Sequence, residues 1–240
     1  MEALDPAEVA RKADVLRRNA APVLEAIARA AQPVRLVAIT KYVDASWCCA
    51  AVDAGLAELG ENRILEGLEK YRAVRATGRS FTAHLVGPIQ SNKARKVPGG
   101  YHFVQALDRV KIARILDGRA GELGLRLPVL VEVNIDEEPQ KAGVAPGEVA
   151  AFAAQVAAQF PHLAVRGLMC IPEWPAGEAD AEYERRARAS FQRMKRLFDT
   201  LQPQLGAEFD TLSMGMSADY QWAIEEGATM VRVGRLLWAE

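Results

Sequence analysis

The chain has 240 residues, half of them hydrophobic, and a formal net charge of −1 at pH 7. This length allows two small domains or one large α/β barrel, and the simpler prediction is a single domain spanning residues 1–240. The balanced charge offers no basic excess for nucleic acid or an anionic membrane, so we expect a small molecule or a protein as the partner.

The cysteines and histidines give no sign of a metal site. Neither the three cysteines nor the three histidines have metal-ligand spacing, so we expect reduced, structural cysteines and no bound metal. The N-terminal segment lacks an apolar targeting region, and no stretch reaches the roughly 18 apolar residues of a membrane span. We therefore expect a cytoplasmic, soluble protein.

Helical and strand-like patterns alternate along the whole chain. An amphipathic opening helix over about residues 7–30 ends before Pro33, and helical stretches then separate short apolar runs. The predicted strands are 35–40, 57–60, 83–87, 102–106, 129–134, 165–170, 211–214 and 230–233. Eight such units predict a (β/α)8 TIM-type barrel, since no GxGxxG follows the first strand to indicate an open doubly wound sheet. Few residues follow the last strand, so we expect the opening helix to take the place of the eighth outer helix.

Functional residues of such barrels gather at the C-terminal ends of the strands, which makes Lys41 notable. It follows the first strand directly, where a surface lysine would be the ordinary interpretation. The other strand ends should surround the same opening. They contribute Glu61, Asn62, Gly87, Asn134, Met169, 213–217 and 231–235.

The last two strand ends are suited to binding phosphate. The segment SMGMS contains small residues that let the backbone approach an anion, Ser213 offers a hydroxyl, and Ser217 is placed to cap the next helix. Gly234, after the last strand, likewise lets the backbone approach an anion. A lysine facing this phosphate site predicts a phosphorylated aldehyde held as a Schiff base, for which pyridoxal 5′-phosphate is the candidate.

Two further expectations follow from this hypothesis. The amine of Lys41 must be neutral to react, so we expect a pocket that removes water from it and lowers its pKa. Arg232 lies two residues before Gly234, on the same side of the strand, where its guanidinium can face the pyridine nitrogen. An arginine there keeps the nitrogen unprotonated and makes the ring a weak electron sink.

Seven segments, in order, resemble the pyridoxal phosphate homeostasis proteins, whose fold-type III barrel is similar to the N-terminal domain of alanine racemase. The segments are LVAITKYVDA, LGENRILEG, HLVGPIQSNK, VLVEVNI with KAG, RGLMCIP, TLSMGMSADYQWAI and GATMVRVG. The resemblance implies that Lys41 forms the Schiff base and that Arg232 faces the pyridine nitrogen. It implies that Ser213 and the backbone around Gly234 and Arg235 hold the phosphate. It also places Asn62 and Met214 beside the ring.

The sequence departs from the family pattern at three places. Thr40 stands where serine is usual, Arg235 stands where threonine is usual, and the chain ends in LLWAE. If the phosphate takes a hydroxyl at position 235, this chain has lost it, although the backbone N–H remains and arginine offers charge. We expect the terminal segment to pack differently from the usual ending of the family.

The resemblance implies a carrier that buffers pyridoxal phosphate and passes it to apoenzymes, with no catalytic residue of its own. Racemisation needs acid and base groups on both faces of the substrate carbon, and alanine racemase obtains the second base across a dimer that its extra domain supports. Tyr42 should point away from Lys41, so no second base is evident and a monomer is expected. The alternatives are a small amino-acid racemase, a cofactor-free Schiff-base aldolase, and a scaffold without ligand.

His84 is expected to be structural, and Lys93 is either a surface charge or an anion contact.

Overall fold

Eight parallel strands close into a barrel in which each strand pairs with its neighbours in chain order. This computed structural model describes residues 4–173 and 180–239. The strands are β1 Arg35–Ile39, β2 Glu58–Glu61, β3 Thr82–Leu85, β4 Phe103–Leu107, β5 Leu127–Val133, β6 Leu163–Cys170, β7 Thr211–Ser213 and β8 Met230–Val233. The predicted barrel and all eight strands are confirmed, with strand ends that differ from the prediction by at most two residues.

Helices surround the barrel, and an additional helix precedes it. They are α1 Pro6–Ala28, α2 Ala45–Asp53, α3 Ile64–Ala76, α4 Ser91–Ala94, α5 Val110–Glu122, α6 Val149–Gln159, α7 Asp180–Leu205, α8 Tyr220–Glu225 and α9 Arg235–Trp238. None of the helices within the described ranges combines the length and apolar character that crossing a bilayer requires.

The opening helix α1 takes the eighth outer position, as predicted. Asp5 caps its N-terminus by accepting a hydrogen bond from the backbone N–H of Ala7, and Pro6 occupies the first helical position, where a missing N–H costs nothing. One face of α1 is buried against α2, α8 and α9. Because α9 is a single short turn, α1 fills the place in the outer ring between α8 and α2.

Apolar packing between helices and strands forms the main core, whereas the barrel interior is partly polar. A small apolar cluster lies inside the barrel and consists of Phe103, Ala106, Leu130 and Met169. Gln105 on β4 and Ser213 on β7 are hydrogen-bonded although these strands are not neighbours, so the bond must cross the interior. The interior thus contains a buried polar path beside its apolar cluster.

The three cysteines are free and buried, as the structural interpretation predicted. Cys48 and Cys49 lie on α2 and pack into the main core. Burial raises the pKa of the Cys48 thiol to about 12 and that of Cys170 to about 12, so neither is a reactive thiolate at neutral pH.

Candidate functional site

A cavity of about 460 Å³ opens at the C-terminal mouth of the barrel, between the ends of β1 and β8 and the loop that follows β7. Its lining residues are Ile39, Lys41, Tyr42, Met216, Ser217, Ala218, Arg232, Gly234 and Arg235. Four of the predicted site residues meet here, namely Lys41, Arg232, Gly234 and Arg235. The other three, Asn62, Ser213 and Met214, do not line this cavity.

A hydrogen-bonded cluster fixes the backbone from which Lys41 projects. The hydroxyl of Thr40, fully buried, donates to Glu61 Oε1 over 3.0 Å and lies within bonding distance of the Tyr71 hydroxyl. Lys70 donates to the carbonyl oxygen of Thr40 over 2.6 Å and forms an ion pair with Glu61. Because both charges of this pair are satisfied within the cluster, the residue just before Lys41 is held rigidly.

This cluster corrects the expected position of Glu61. The sequence placed Glu61 at the mouth, but its side chain points outward to α3, where the carboxylate contacts Lys70 and the Cγ lies 2.9 Å from the position of a Cβ at Gly67. Side chains alternate between the two faces of a strand, and Glu61 falls on the helix-facing side.

The side chain of Lys41 differs from expectation in two respects. It is exposed, so the predicted loss of water around the amine is not seen. Its Nζ lies 4.8 Å from the centroid of the Tyr42 ring, so Tyr42 does not point away. The reason is that β1 ends at Ile39 and residues 40–43 form a turn, in which the alternation of a strand no longer applies.

The loop between β7 and α8 has a backbone shape that its residues enforce. Gly215 has a φ of +91°, and a Cβ there would lie 2.5 Å from the Cβ of Ala223, so only glycine fits. The buried carboxylate of Asp219 accepts hydrogen bonds from the N–H of Met216 over 2.5 Å and from the Tyr183 hydroxyl over 2.6 Å. These bonds hold the loop against α7.

The β7–α8 loop lines the cavity with residues that carry backbone donors. Ser217 does not cap α8 as predicted, because Asp219 precedes that helix and the Ser217 hydroxyl instead accepts from the N–H of Gly234 over 3.2 Å. Within residues 4–173 and 180–239, the N–H groups of Ser217 and Ala218 donate to no protein atom. Unpaired N–H groups beside a glycine form a site for an anion.

Arg232 is buried and has two partners inside the barrel. Its Nη1 donates to Ser213 Oγ over 2.7 Å, and its Nη2 donates to the carbonyl oxygen of Cys170 over 2.8 Å. Burial lowers the pKa of the guanidinium, but arginine stays charged because its ordinary pKa lies far above neutrality. Arg232 therefore presents a fixed positive charge to the floor of the cavity.

The hydroxyl of Ser213 is used inside the barrel and not at the phosphate loop. It accepts from Arg232 and donates to Gln105 Oε1 over 2.7 Å, and the side chain is fully buried. The predicted phosphate contact of Ser213 therefore does not fit this geometry. Met214 is equally buried in the main core. Ser213 on β7 thus points into the barrel interior, as Arg232 does on β8.

Asn62 lies at a neighbouring cavity of about 460 Å³, together with Lys93, Pro88 and Gln90. Its Oδ1 is buried and accepts no hydrogen bond from the part of the chain that the structure describes. Lys93 lines the same cavity, which leaves both interpretations of this lysine open. His84 is fully buried and bonded to Glu58 and Gln105, in accord with the structural role expected for it.

Sequence reasoning missed Glu132 on β5. Burial raises the pKa of its carboxyl to about 7, with a further contribution from Asp108 that Arg232 and Arg109 oppose. Its Oε2 is buried and has no hydrogen-bond partner among the described residues. The signal was present in the sequence, because a glutamate within the apolar run VLVEV is an unusual residue for a buried strand. No group of three or more metal-binding side chains is found within residues 4–173 and 180–239.

Comparisons with known proteins identify the family and the fold of the chain. The chain matches the family model described as alanine racemase, N-terminal domain, over residues 13–240. It is 37% identical over 206 residues to the pyridoxal phosphate homeostasis protein of Haemophilus influenzae, covering 85% of this chain and 84% of that protein.

Solved structures with the same fold include PipY of Synechococcus elongatus, described as having PLP bound. PipY aligns with a TM-score of 0.77 at 32% identity, covering 93% of this chain and 100% of that chain. An alanine racemase of Clostridium difficile aligns with a TM-score of 0.74 at 16% identity, covering 95% of this chain and 57% of that chain. The latter likeness concerns the fold alone.

Proposed function

This chain belongs to the pyridoxal phosphate homeostasis proteins, within the alanine racemase N-terminal-domain family, and from that premise we propose that it binds pyridoxal 5′-phosphate reversibly on Lys41. One observation carries the proposal. The amine of Lys41 and the unpaired N–H groups of the β7–α8 loop line the same cavity. An amine and an anion site facing one opening suit an aldehyde with a phosphate tail.

The residues of the cavity fit this cofactor in three places. When bound, the cofactor supplies an aldehyde that condenses with a neutral primary amine to form a Schiff base, releasing one water. Lys41 provides the amine, and its exposed side chain is free to reach into the opening. The N–H groups of Ser217 and Ala218 provide donors for the phosphate, and the guanidinium of Arg235 lies at the same rim.

Arg232 is the residue proposed to face the pyridine nitrogen. Its guanidinium has only donors and keeps its charge, so it can donate to an unprotonated nitrogen but cannot stabilise a protonated one. Without a proton on the ring, the cofactor withdraws electrons weakly. This arrangement suits holding the cofactor more than transforming an amino acid on it.

A carrier also fits the placement of the acid and base groups. The ring of Tyr42 lies beside Lys41 Nζ, so both groups approach from one side of the opening. Among the lining residues named above, none provides a second base opposite Lys41. We therefore propose that the protein buffers the reactive aldehyde and supplies it to pyridoxal-phosphate-dependent apoenzymes, as a cytoplasmic monomer that is not an enzyme. Sedimentation equilibrium tests the monomer, and a slower transfer from loaded protein to an apoenzyme than from free cofactor would count against the carrier role.

Absorbance spectroscopy of the protein mixed with pyridoxal 5′-phosphate tests the binding. We expect a Schiff-base band that is lost in Lys41→Ala and retained in Lys111→Ala, a lysine exposed on α5. An unchanged band in Lys41→Ala would overturn the proposal. Steady turnover of D- or L-amino acids by the loaded protein would instead favour the racemase, and aldol cleavage without cofactor would favour the aldolase.

A further inference from the structure

A continuous chain of hydrogen bonds runs through the barrel interior from its base to Arg232. At the base, His84 Nε2 bonds to Glu58, the first residue of β2. His84 Nδ1 lies 3.0 Å from Gln105 Nε2, and Gln105 Oε1 lies 2.7 Å from Ser213 Oγ. Ser213 Oγ then lies 2.7 Å from Arg232 Nη1, at the floor of the cavity.

The chain is buried between its base and the floor of the cavity. Relative exposure is 0% for His84, Gln105 and Ser213 and 4% for Arg232. Only the Glu58 side chain, 28% exposed, reaches the surface. A hydrogen bond left unmade inside such an interior would leave a buried polar group without a partner, so each group is held to its partner.

Donor and acceptor chemistry gives the chain one direction. Burial raises the pKa of the Glu58 carboxyl, but the hydrogen bond from His84 and the nearby charges of His84 and Arg35 together outweigh it. The net pKa is therefore lowered, and Glu58 is an acceptor only. Burial lowers the pKa of His84, which is therefore neutral and must place its single proton on Nε2. Nδ1 is then a bare acceptor, so the amide nitrogen of Gln105 must face it.

The same argument continues to the mouth. With its nitrogen turned to His84, Gln105 presents its oxygen to Ser213, so the Ser213 hydroxyl must donate to Gln105. That leaves a lone pair of Ser213 for Arg232, which can only donate. Each proton position along the chain thus follows from the charge on Glu58.

We propose that Glu58, His84, Gln105 and Ser213 are positioning residues that set the orientation of the Arg232 guanidinium toward its ligand. The proposal rests on the proposed function, because it concerns how the pyridine-facing residue is held. The chain and the Cys170 carbonyl fix one donor on each Nη atom, which leaves three of the five arginine donors for other partners. A residue at the opposite end of the barrel thereby controls the cavity floor.

Nitrogen NMR of the histidines tests the chain in protein without cofactor. The sequence has three histidines, His84, His102 and His162, so each signal can be assigned by substitution. We expect His84 in wild type to be neutral with its proton on Nε2, in roughly tenfold excess over the other tautomer, as a single fixed hydrogen bond predicts. A protonated His84 at pH 7, or a proton on Nδ1, would overturn the proposal.

Glu58→Gln provides the informative variant, because an amide can either donate or accept and no longer dictates the tautomer. We expect the Nε2 preference of His84 to fall at least severalfold. Asp117→Asn is the matched control, since Asp117 lies 3.3 Å from His162 Nδ1 and should change the His162 signal only. An unchanged His84 tautomer ratio in Glu58→Gln would contradict the proposed direction of the chain.

Binding of 4-deoxypyridoxine 5′-phosphate, which has no aldehyde, tests the consequence at the mouth. Gln105→Leu and Ser213→Ala should each weaken binding by about fivefold or more, since one fixed hydrogen bond is lost beside Arg232. Leu130→Ala, in the same interior but outside the chain, controls for lost stability. If Leu130→Ala weakened binding of the probe as much as Gln105→Leu and Ser213→Ala do, the loss would reflect stability and not the positioning of Arg232. Failure of wild type to bind this probe would count against the proposed function, whereas a wrong His84 tautomer counts against the chain alone.

Discussion

At the residue scale, Arg235 is the departure from the family that the cavity makes most testable. The side chain is exposed at the rim, beside Gly234 and the donors of Ser217 and Ala218. A guanidinium there adds a charge-assisted hydrogen bond to a phosphate, whereas the usual threonine adds a neutral one. At position 235, this chain thus offers a charged donor on a long side chain in place of a short neutral hydroxyl.

Arg235→Thr should therefore change the salt dependence of cofactor binding. We expect the variant to bind pyridoxal 5′-phosphate about two- to tenfold more weakly at low ionic strength, and nearly equally at high ionic strength, where the charge is screened. Titration followed by absorbance at two salt concentrations measures this. Equal affinities at both salt concentrations would show that Arg235 does not contact the phosphate.

Glu132 makes a second prediction at this scale. Its folded-state pKa of about 7 lies above the ordinary value of 4.5, so its protonated form favours folding at low pH, and this contribution is lost as pH rises between about 4.5 and about 7. Glu132→Gln should raise the free energy of unfolding by about 1–3 kcal/mol at pH 8 and leave it nearly unchanged at pH 4. Urea unfolding across this pH range measures the effect.

Glu69→Gln, exposed on α3, is the control and should leave the pH profile as in wild type. If Glu132→Gln and wild type lost stability in parallel between about pH 4.5 and about pH 7, the buried carboxyl would not be the source of the pH dependence.

Sequence reasoning succeeded for residues whose position follows from strand order and failed where side-chain direction decides. Lys41 and Arg232 were placed at one cavity because the strand ends of a barrel converge. Ser213 was assigned to the phosphate because its segment follows β7, but its hydroxyl turns inward to Gln105. The partner of a hydroxyl depends on strands far apart in sequence, which a linear pattern does not reveal.

At the element scale, α9 secures the end of β1. The indole N–H of Trp238 donates to the carbonyl oxygen of Ile39 over 2.7 Å, two residues before Lys41, and its ring packs edge-on against Trp47. Asn19 on α1 donates to the carbonyl oxygens of Leu237 and Ala239. The altered C-terminal ending thus ties α1, α9 and the lysine-bearing turn together.

Trp238→Phe keeps the ring but removes this donor. We expect a loss of about 1 kcal/mol in the free energy of unfolding, together with weaker cofactor binding, because the turn that carries Lys41 loosens. Urea denaturation and absorbance titration measure the two effects. Leu236→Ala, partly exposed on the same helix, is the control. If Trp238→Phe bound the cofactor as tightly as wild type does, α9 would not influence the site.

The elements themselves were predictable because strand and helix periods differ so clearly along this chain. The eight strands followed from short apolar runs, and α1 followed from the amphipathic pattern of the opening segment. The turn at residues 40–43 was not predicted, and it reverses the expected direction of Tyr42. The first residue of this turn, Thr40, is held by hydrogen bonds to Glu61 on β2 and Lys70 on α3, partners that lie far along the sequence.

At the scale of the whole molecule, we propose that residues 1–240 form one domain. The opening helix, the closed barrel and the terminal turn pack into one main apolar core. Unfolding followed by tryptophan fluorescence and by far-UV circular dichroism should therefore give coincident transitions. Two separated transitions would instead show that a part of the chain folds independently.

The central claim is that Lys41 forms a covalent but reversible bond with pyridoxal 5′-phosphate. The most direct measurement is borohydride reduction of the loaded protein, followed by proteolysis and mass spectrometry of the labelled peptide. We predict a single reduced adduct on Lys41, with no label in a sample dialysed free of cofactor before reduction. A label distributed over surface lysines, or concentrated on another lysine while Lys41 stays unmodified, would contradict the account.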